Sequence, residues 1–193
     1  MIVRVITVSF FLILANCSRS TAQSAVGLKF FGLSIHPKGD ENALLMPRRL
    51  DQKGVLVLNL GAEVTFEQFL FTGDISVKGV QALYSDCAAQ PGGFTHLGLR
   101  GKMIKGKRSA LSGGIGPTLI YRKNWHHLAG YKDPGYFAGT PNAAFQYKFL
   151  WYGGELEYSH KVSPKLQYAV SFIPGYPKLM SLALGVTFLR AKG

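Results

Sequence analysis

The chain has 193 residues, with 22 Lys plus Arg against 10 Asp plus Glu, and a formal net charge of +12. That length suits one domain. The charge points to anionic lipid headgroups and phosphorylated glycolipid, not nucleic acid, because the first residues mark the chain for export.

Arg4 is followed by an apolar run over residues 5–15 and then by small residues Ser20-Thr21-Ala22. A basic start, a short apolar run and a small-x-small site make a secretory signal peptide. The run is too short to span a membrane as a helix. Cleavage is expected after Ala22, which makes residues 1–22 the signal peptide and 23–193 the mature chain. Losing Arg4 and Arg19 lowers the net charge from +12 to +10. Cys17 leaves too, so Cys87 is the only mature cysteine and no internal disulfide forms.

No mature segment is a long apolar run. Instead, stretches of about ten residues alternate, the pattern of transmembrane strands. Eight are expected: 26–36, 54–66, 69–84, 94–104, 108–122, 146–159, 165–173 and 179–189. The second is the clearest. Leu56, Leu58, Leu60, Ala62, Val64 and Phe66 share one face, and Val57, Asn59, Gly61, Glu63, Thr65 and Glu67 the other. Short connections at 67–68, 105–107 and 160–164 alternate with longer ones at 37–53, 85–93 and 123–145. This suits an all-β fold: an eight-stranded antiparallel transmembrane β-barrel with periplasmic turns and external loops. The competing reading is a soluble lipocalin-like barrel, whose apolar face points inward.

With the apolar face to lipid, the inward residues follow. Glu63, Thr65, Asp74, Ser76, Arg100, Lys102, Ser112, Glu155, Glu157 and Gln167 form a polar plug in the periplasmic half, where opposite charges pair. The external half is apolar or small at Val57, Val80, Gly98, Ile120, Trp151 and Ile173. An eight-stranded barrel just holds one small ligand if side chains leave it room. An acyl-chain pocket and simple packing of the upper core both fit this pattern.

At the external rim, His36 ends the first strand, and Ser85-Asp86 begins the second external loop. A base, a hydroxyl and a carboxylate on one rim suit acyl transfer. Ser-Asp also starts ordinary turns, and Cys87 stands beside it. His126-His127 has no partners at metal-ligand spacing, so neither metal nor cofactor is expected. Arg48-Arg49, Arg122-Lys123 and Lys132 are candidate phosphate contacts. Pro117 and Pro174 interrupt strand ladders, which either bends the wall or opens it sideways.

Ser34-Ile35-His36, Ala82 to Asp86, Tyr121 to Trp125 and Ser171 to Gly175 together resemble the outer-membrane phospholipid:lipid A palmitoyltransferases. The order of these matches covers most of the mature chain. The resemblance implies an acyltransferase moving an acyl chain from a phospholipid to the lipid A part of lipopolysaccharide. It makes His36 the base, Ser85 and Asp86 its partners, Gly98 the pocket floor and Pro174 the neighbour of a lateral gate. Shifting the match by one residue pairs Asp86 with Cys87 instead. The alternatives are a non-enzymatic outer-membrane barrel, structural or lipid-binding, and a lipid A deacylase. A monomer in the cell outer membrane is expected.

Overall fold

The computed structural model describes residues 23–70, 73–175 and 179–190. The expected signal peptide lies outside the described residues. Eight antiparallel strands close a barrel: β1 (Ser24–Ile35), β2 (Leu56–Leu70), β3 (Ile75–Ser85), β4 (Pro91–Lys105), β5 (Ser109–Lys123), β6 (Phe145–Ser163), β7 (Leu166–Gly175) and β8 (Leu179–Arg190). Each strand pairs with its sequence neighbours. The barrel closes where β1 meets β8, from Ser24↔Arg190 to Ile35↔Met180.

The alternation places the expected apolar face outward. Leu28 is 55%, Leu99 58% and Phe188 56% exposed. Exposed apolar side chains on this scale, repeated around the wall, are excluded from water only by lipid. The soluble carrier, with apolar residues inward, has the opposite polarity and is ruled out.

One boundary differs from expectation. No turn occurs at Glu67-Gln68: β2 runs on to Leu70, and Gln68 pairs with Val77. Glu67 is an inward member of the strand, buried beneath Arg100 and accepting a hydrogen bond from the Ser76 hydroxyl. In the sequence its charge resembles that of a turn residue, because its partners lie on other strands.

The periplasmic half of the lumen is filled by an ion network. Lys29 Nζ donates to Glu63 at 3.0 Å and Glu157 at 2.5 Å. Lys78 pairs with Glu155, and with Glu157 at 2.8 Å. Arg100 pairs with Glu157 at 2.6 Å and Glu67 at 3.4 Å. Ser76, Thr65, Ser112 and Gln167 are buried with them, as expected. Asp74 departs from expectation: it sits in the β2–β3 turn and pairs with Lys105 at the rim. Lys102 is exposed at the periplasmic opening. Lys29 and Lys78, the centre of the network, were not among the inward residues read from the sequence.

The external half of the lumen is packed by Phe31, Val80, Ala82, Phe94, Ile120 and Ala183. Tyr84 stacks on Phe31, with ring centroids 4.6 Å apart, and Phe94 meets Phe31 edge-on at 5.6 Å.

Two irregularities decide which side chains face inward there. In β1 the register shifts between Phe31 and Leu33 against β2 and between Phe31 and Ser34 against β8. Below the bulge, odd positions such as Lys29 and Phe31 are buried; above it, Ser34 and His36 are. The bulge at Gly32 therefore turns His36 toward the lumen. The second shift lies between β5 and β6, where Gly116 pairs with Gly153 but Thr118 pairs with Leu150. Pro117 has no N–H for the ladder, and Trp151 and Tyr152 bulge opposite it. Below this bulge Glu155 and Glu157 point inward; above it Gln146 does. Trp151 is 71% exposed and faces outward, correcting its expected place in the shaft.

The network gives a direct test. Glu157→Gln preserves shape but removes the carboxylate shared by Lys29, Lys78 and Arg100. Breaking a buried ion pair by deleting one partner costs about 3–5 kcal/mol. The urea midpoint of the micelle-folded barrel is expected to fall accordingly, with an unchanged midpoint refuting the network's role.

Candidate functional site at the external mouth

Three external loops knit together above the barrel. The first, residues 36–55, carries a 3-10 turn over Ala43–Leu45; the third, residues 124–144, carries one over Trp125–His127. Asn42 and Lys132 tie these two loops by reciprocal hydrogen bonds of 2.9 and 2.8 Å. Arg48 donates to the Ser85 and Asp86 carbonyls of the second loop at 3.1 and 3.2 Å. Beneath these ties lies a small apolar core of Met46, Val57, Cys87, Ala88 and Trp125. The loops form a packed cap.

Asp86 holds the cap together. Its Oδ1 accepts from the Ala88 and Gln90 backbone N–H groups at 2.9 and 2.7 Å, and Oδ2 accepts the Trp125 indole N–H at 2.8 Å. Burial pushes its carboxyl up from the ordinary value, while the Gln90 N–H, the Trp125 indole, the Arg122 charge and the Ala88 N–H pull it back. The sequence reading of Ser-Asp as a turn start describes this contact; the reading of Asp86 as an orienter of His36 does not.

The expected site residues separate. His36 is buried at the mouth, with Nδ1 3.8 Å from the Asp40 carboxylate. Cys87 shares a mouth cavity with His36, Asp40, Arg122 and Tyr136; Ser85 and Asp86 are not among its lining residues. Ser85 ends β3 on the parity of outward Leu83, opposite buried Ala82. The pairing thus favours Cys87 over Ser85 as the neighbour of His36. Cys87 is nevertheless a poor nucleophile. Burial, aided by the Asp86 charge, pushes its thiol up to about 12, and the thiolate is the reactive form.

The expected acyl-binding residues are equally dispersed. Val80 and Ile120 belong to the packed upper core, with Ile173 half-buried against it. Val57 belongs to the cap. Gly98 is no pocket floor, because a Cβ there would meet the His96 ring. The His96 Nδ1 lies 2.7 Å from the Thr118 hydroxyl. The mouth cavity measures about 60 Å³. It admits a few waters, against the roughly 300–1,000 Å³ of small-molecule pockets.

The arginines among the candidate phosphate contacts are also committed elsewhere. Arg49 donates to the Ala43 and Met46 carbonyls. Arg122 stacks 3.9 Å from the Trp125 ring and 4.1 Å from Phe137, and donates to Gln146 and Tyr131. Lys123 and Lys132 remain exposed. His126 lies 3.3 Å from Asp133, and no group of three potential metal donors occurs among the described residues.

No protein-family model matches the sequence, and no curated protein matches it either. Solved structures do. Ail, the attachment invasion locus protein of Yersinia pestis, in complex with the heparin analogue sucrose octasulfate, aligns with a TM-score of 0.51 and 13% identity, over 88% of this chain and 99% of that one. The chain has the fold of an eight-stranded antiparallel transmembrane barrel. A second Ail structure aligns at 0.48 with 14% identity, over 88% and 99% of the two chains. Neisserial surface protein A aligns at 0.47 with 11% identity, over 90% and 98%. The likeness is one of architecture.

The cap predicts how Cys87 behaves. At pH 8, iodoacetamide is expected to label it over a hundredfold more slowly in the folded barrel than in the urea-unfolded chain, roughly as the thiolate fraction dictates. Asp86→Ala leaves the Trp125 indole and two amides without an acceptor. A penalty of about 1–3 kcal/mol for such buried donors is expected to loosen the cap and raise labelling roughly tenfold. Equal rates in folded and unfolded wild type would refute the buried-thiol geometry.

Proposed function

We propose that the chain is a non-enzymatic outer-membrane barrel, a structural membrane protein that presents a packed external cap. The filled lumen carries this reading. Ion pairs occupy its lower half and aromatic side chains its upper half, and the cap above engages the polar groups on which acyl transfer would depend. The apolar belt meets the acyl chains of phospholipid and of lipid A in lipopolysaccharide, which are its partners on this reading. The strand order, closed where β1 pairs with β8, supports a monomer.

One observation favours the second reading, acyl transfer from phospholipid to lipid A. Among the described residues, the pairing of β6 with β7 ends at Leu156↔Phe172, while β6 continues upward along β5 to Phe145. Residues 145–155 therefore form one side of a lateral break in the wall, beside the end of β7 at Gly175. Backbone left unpaired in lipid is costly, and a break of this kind is a route for a lipid tail. For catalysis, Phe31 and Phe94 would have to vacate the shaft, and His36 and Cys87 would have to act together.

The lipid A mass spectrum of cells with and without the protein separates the two. No change is expected. A gain of one acyl chain that His36→Ala abolishes would establish transfer, and a loss of one would establish deacylation.

A further inference from the structure

The periplasmic opening carries a second and larger cavity, of about 180 Å³. Its wall takes residues from β2, β4, β5, β6, β7 and β8 and from the turn that joins β4 to β5, the carboxylate Glu67 among them. Lys102, Lys105, Lys107, Arg108 and Lys161 line it. Lys105 pairs with Asp74, and Lys102 donates to the Gly73 carbonyl at 2.6 Å. Among the described residues, no carboxylate pairs with Lys107, Arg108 or Lys161.

Lys107, Arg108 and Lys161 are all exposed at this opening. Lys161 N–H donates to the Arg108 carbonyl at 2.7 Å, so two cations lie directly across adjoining chain segments. Like charges so placed destabilise a sheet. The deeper lumen offers them little relief, because Arg100 already holds Glu67 and Glu157. Ser112, Ser159 and Gln167 are buried against the same cavity, and none of the three side chains hydrogen-bonds another described residue. A ring of cations above unengaged hydroxyl and amide groups has the chemistry of an oxyanion receptor. Arg binds phosphate through its planar fork and Lys as a point charge.

The surroundings indicate where the anion comes from. Met103 and Ile104 are both exposed on the outer face, at a register shift between Lys102 and Ile104. The cations thus border the apolar belt at the level where headgroups of the periplasmic leaflet lie.

We propose that this periplasmic vestibule binds a phosphate group, carried by an anionic phospholipid of the inner leaflet or supplied as free phosphate. Lys107, Arg108 and Lys161 hold the phosphate oxygens, and the buried hydroxyls complete the receptor.

Native mass spectrometry of the full-length mature barrel, released from detergent micelles, tests this with two probes: dioleoylphosphatidylglycerol and inorganic phosphate, with zwitterionic phosphatidylcholine as control. Retention of phosphatidylglycerol but not phosphatidylcholine, weakened at least tenfold in the double variant Arg108→Gln, Lys161→Gln, is the result expected for a lipid source. Retention of inorganic phosphate with the same loss in the variant, and no preference between the lipids, identifies free phosphate as the source. The exposed-site variant Lys38→Gln, Lys53→Gln makes the same charge change at the external end. Equal weakening by both double variants would overturn the proposal in favour of bulk charge, as would wild-type affinity in the vestibule variant. Far-UV circular dichroism and heat-dependent gel mobility confirm that each variant folds.

Discussion

Seven ionised side chains removed from water inside a narrow barrel constrain everything else in the molecule. Lys29, Lys78 and Arg100 face Glu63, Glu67, Glu155 and Glu157. A charge buried without a partner is far costlier than any one contact is worth. Each of β1, β2, β3, β4 and β6 contributes to the set, so its members meet only in one register. Slipping any of these strands by one residue would turn its charge toward lipid and an apolar side chain toward the lumen. The network thus acts on pairing specificity more than on net stability.

The two bulges show how the same wall changes function along its height. A strictly alternating β1 with Lys29 inward would place His36 outward. The extra residue at Gly32 reverses the parity and brings His36 under the cap. In β6 the reversal runs the other way for aromatic side chains. Opposite Pro117 the ladder cannot be continuous, and the bulge that absorbs the fault turns Phe149 and Trp151 outward. One irregularity brings a polar group inside, and the other keeps bulky rings out of an already crowded shaft.

The barrel itself was legible in the sequence because a period of two, with one face meeting lipid, leaves a repeated mark on every strand. The polar floor was legible in part for the same reason: Glu63, Arg100, Glu155 and Glu157 face inward as their parity implies, whereas Lys29 and Lys78 were missed and Asp74 and Lys102 lie at the rim. Parity counting failed where a bulge intervened, as at Trp151, since one residue inserted into a strand leaves no compositional trace. It also failed at Glu67, where a charge inside a barrel resembles a charge in a turn until its partners Ser76 and Arg100 are known. Spacing placed His36, Ser85 and Asp86 on one rim correctly. Rim position does not say which way a side chain points, and Ser85 carries the parity of outward Leu83. Nor does a list of small apolar residues disclose a void. Gly98 is backed by His96, and Phe31 and Phe94 fill the space that an acyl chain would need.

The basic residues divide between the two ends in a way that net charge conceals. At the external end the arginines are structural: Arg48 and Arg49 bond carbonyls, and Arg122 lies between aromatic rings. Their planar, multiply donating heads suit them to fixing loops. At the periplasmic end, Lys107, Arg108 and Lys161 stand together, and the nearby carboxylates Glu67 and Asp74 are already held by Arg100 and Lys105. Exposed cations are cheap to hydrate, so the fold tolerates them, but it gains nothing by gathering them beside a polar cavity. The cap is a device for closing one end of the barrel. The opposite end has the open space and the uncompensated charge, and those are the properties of a surface that meets something else.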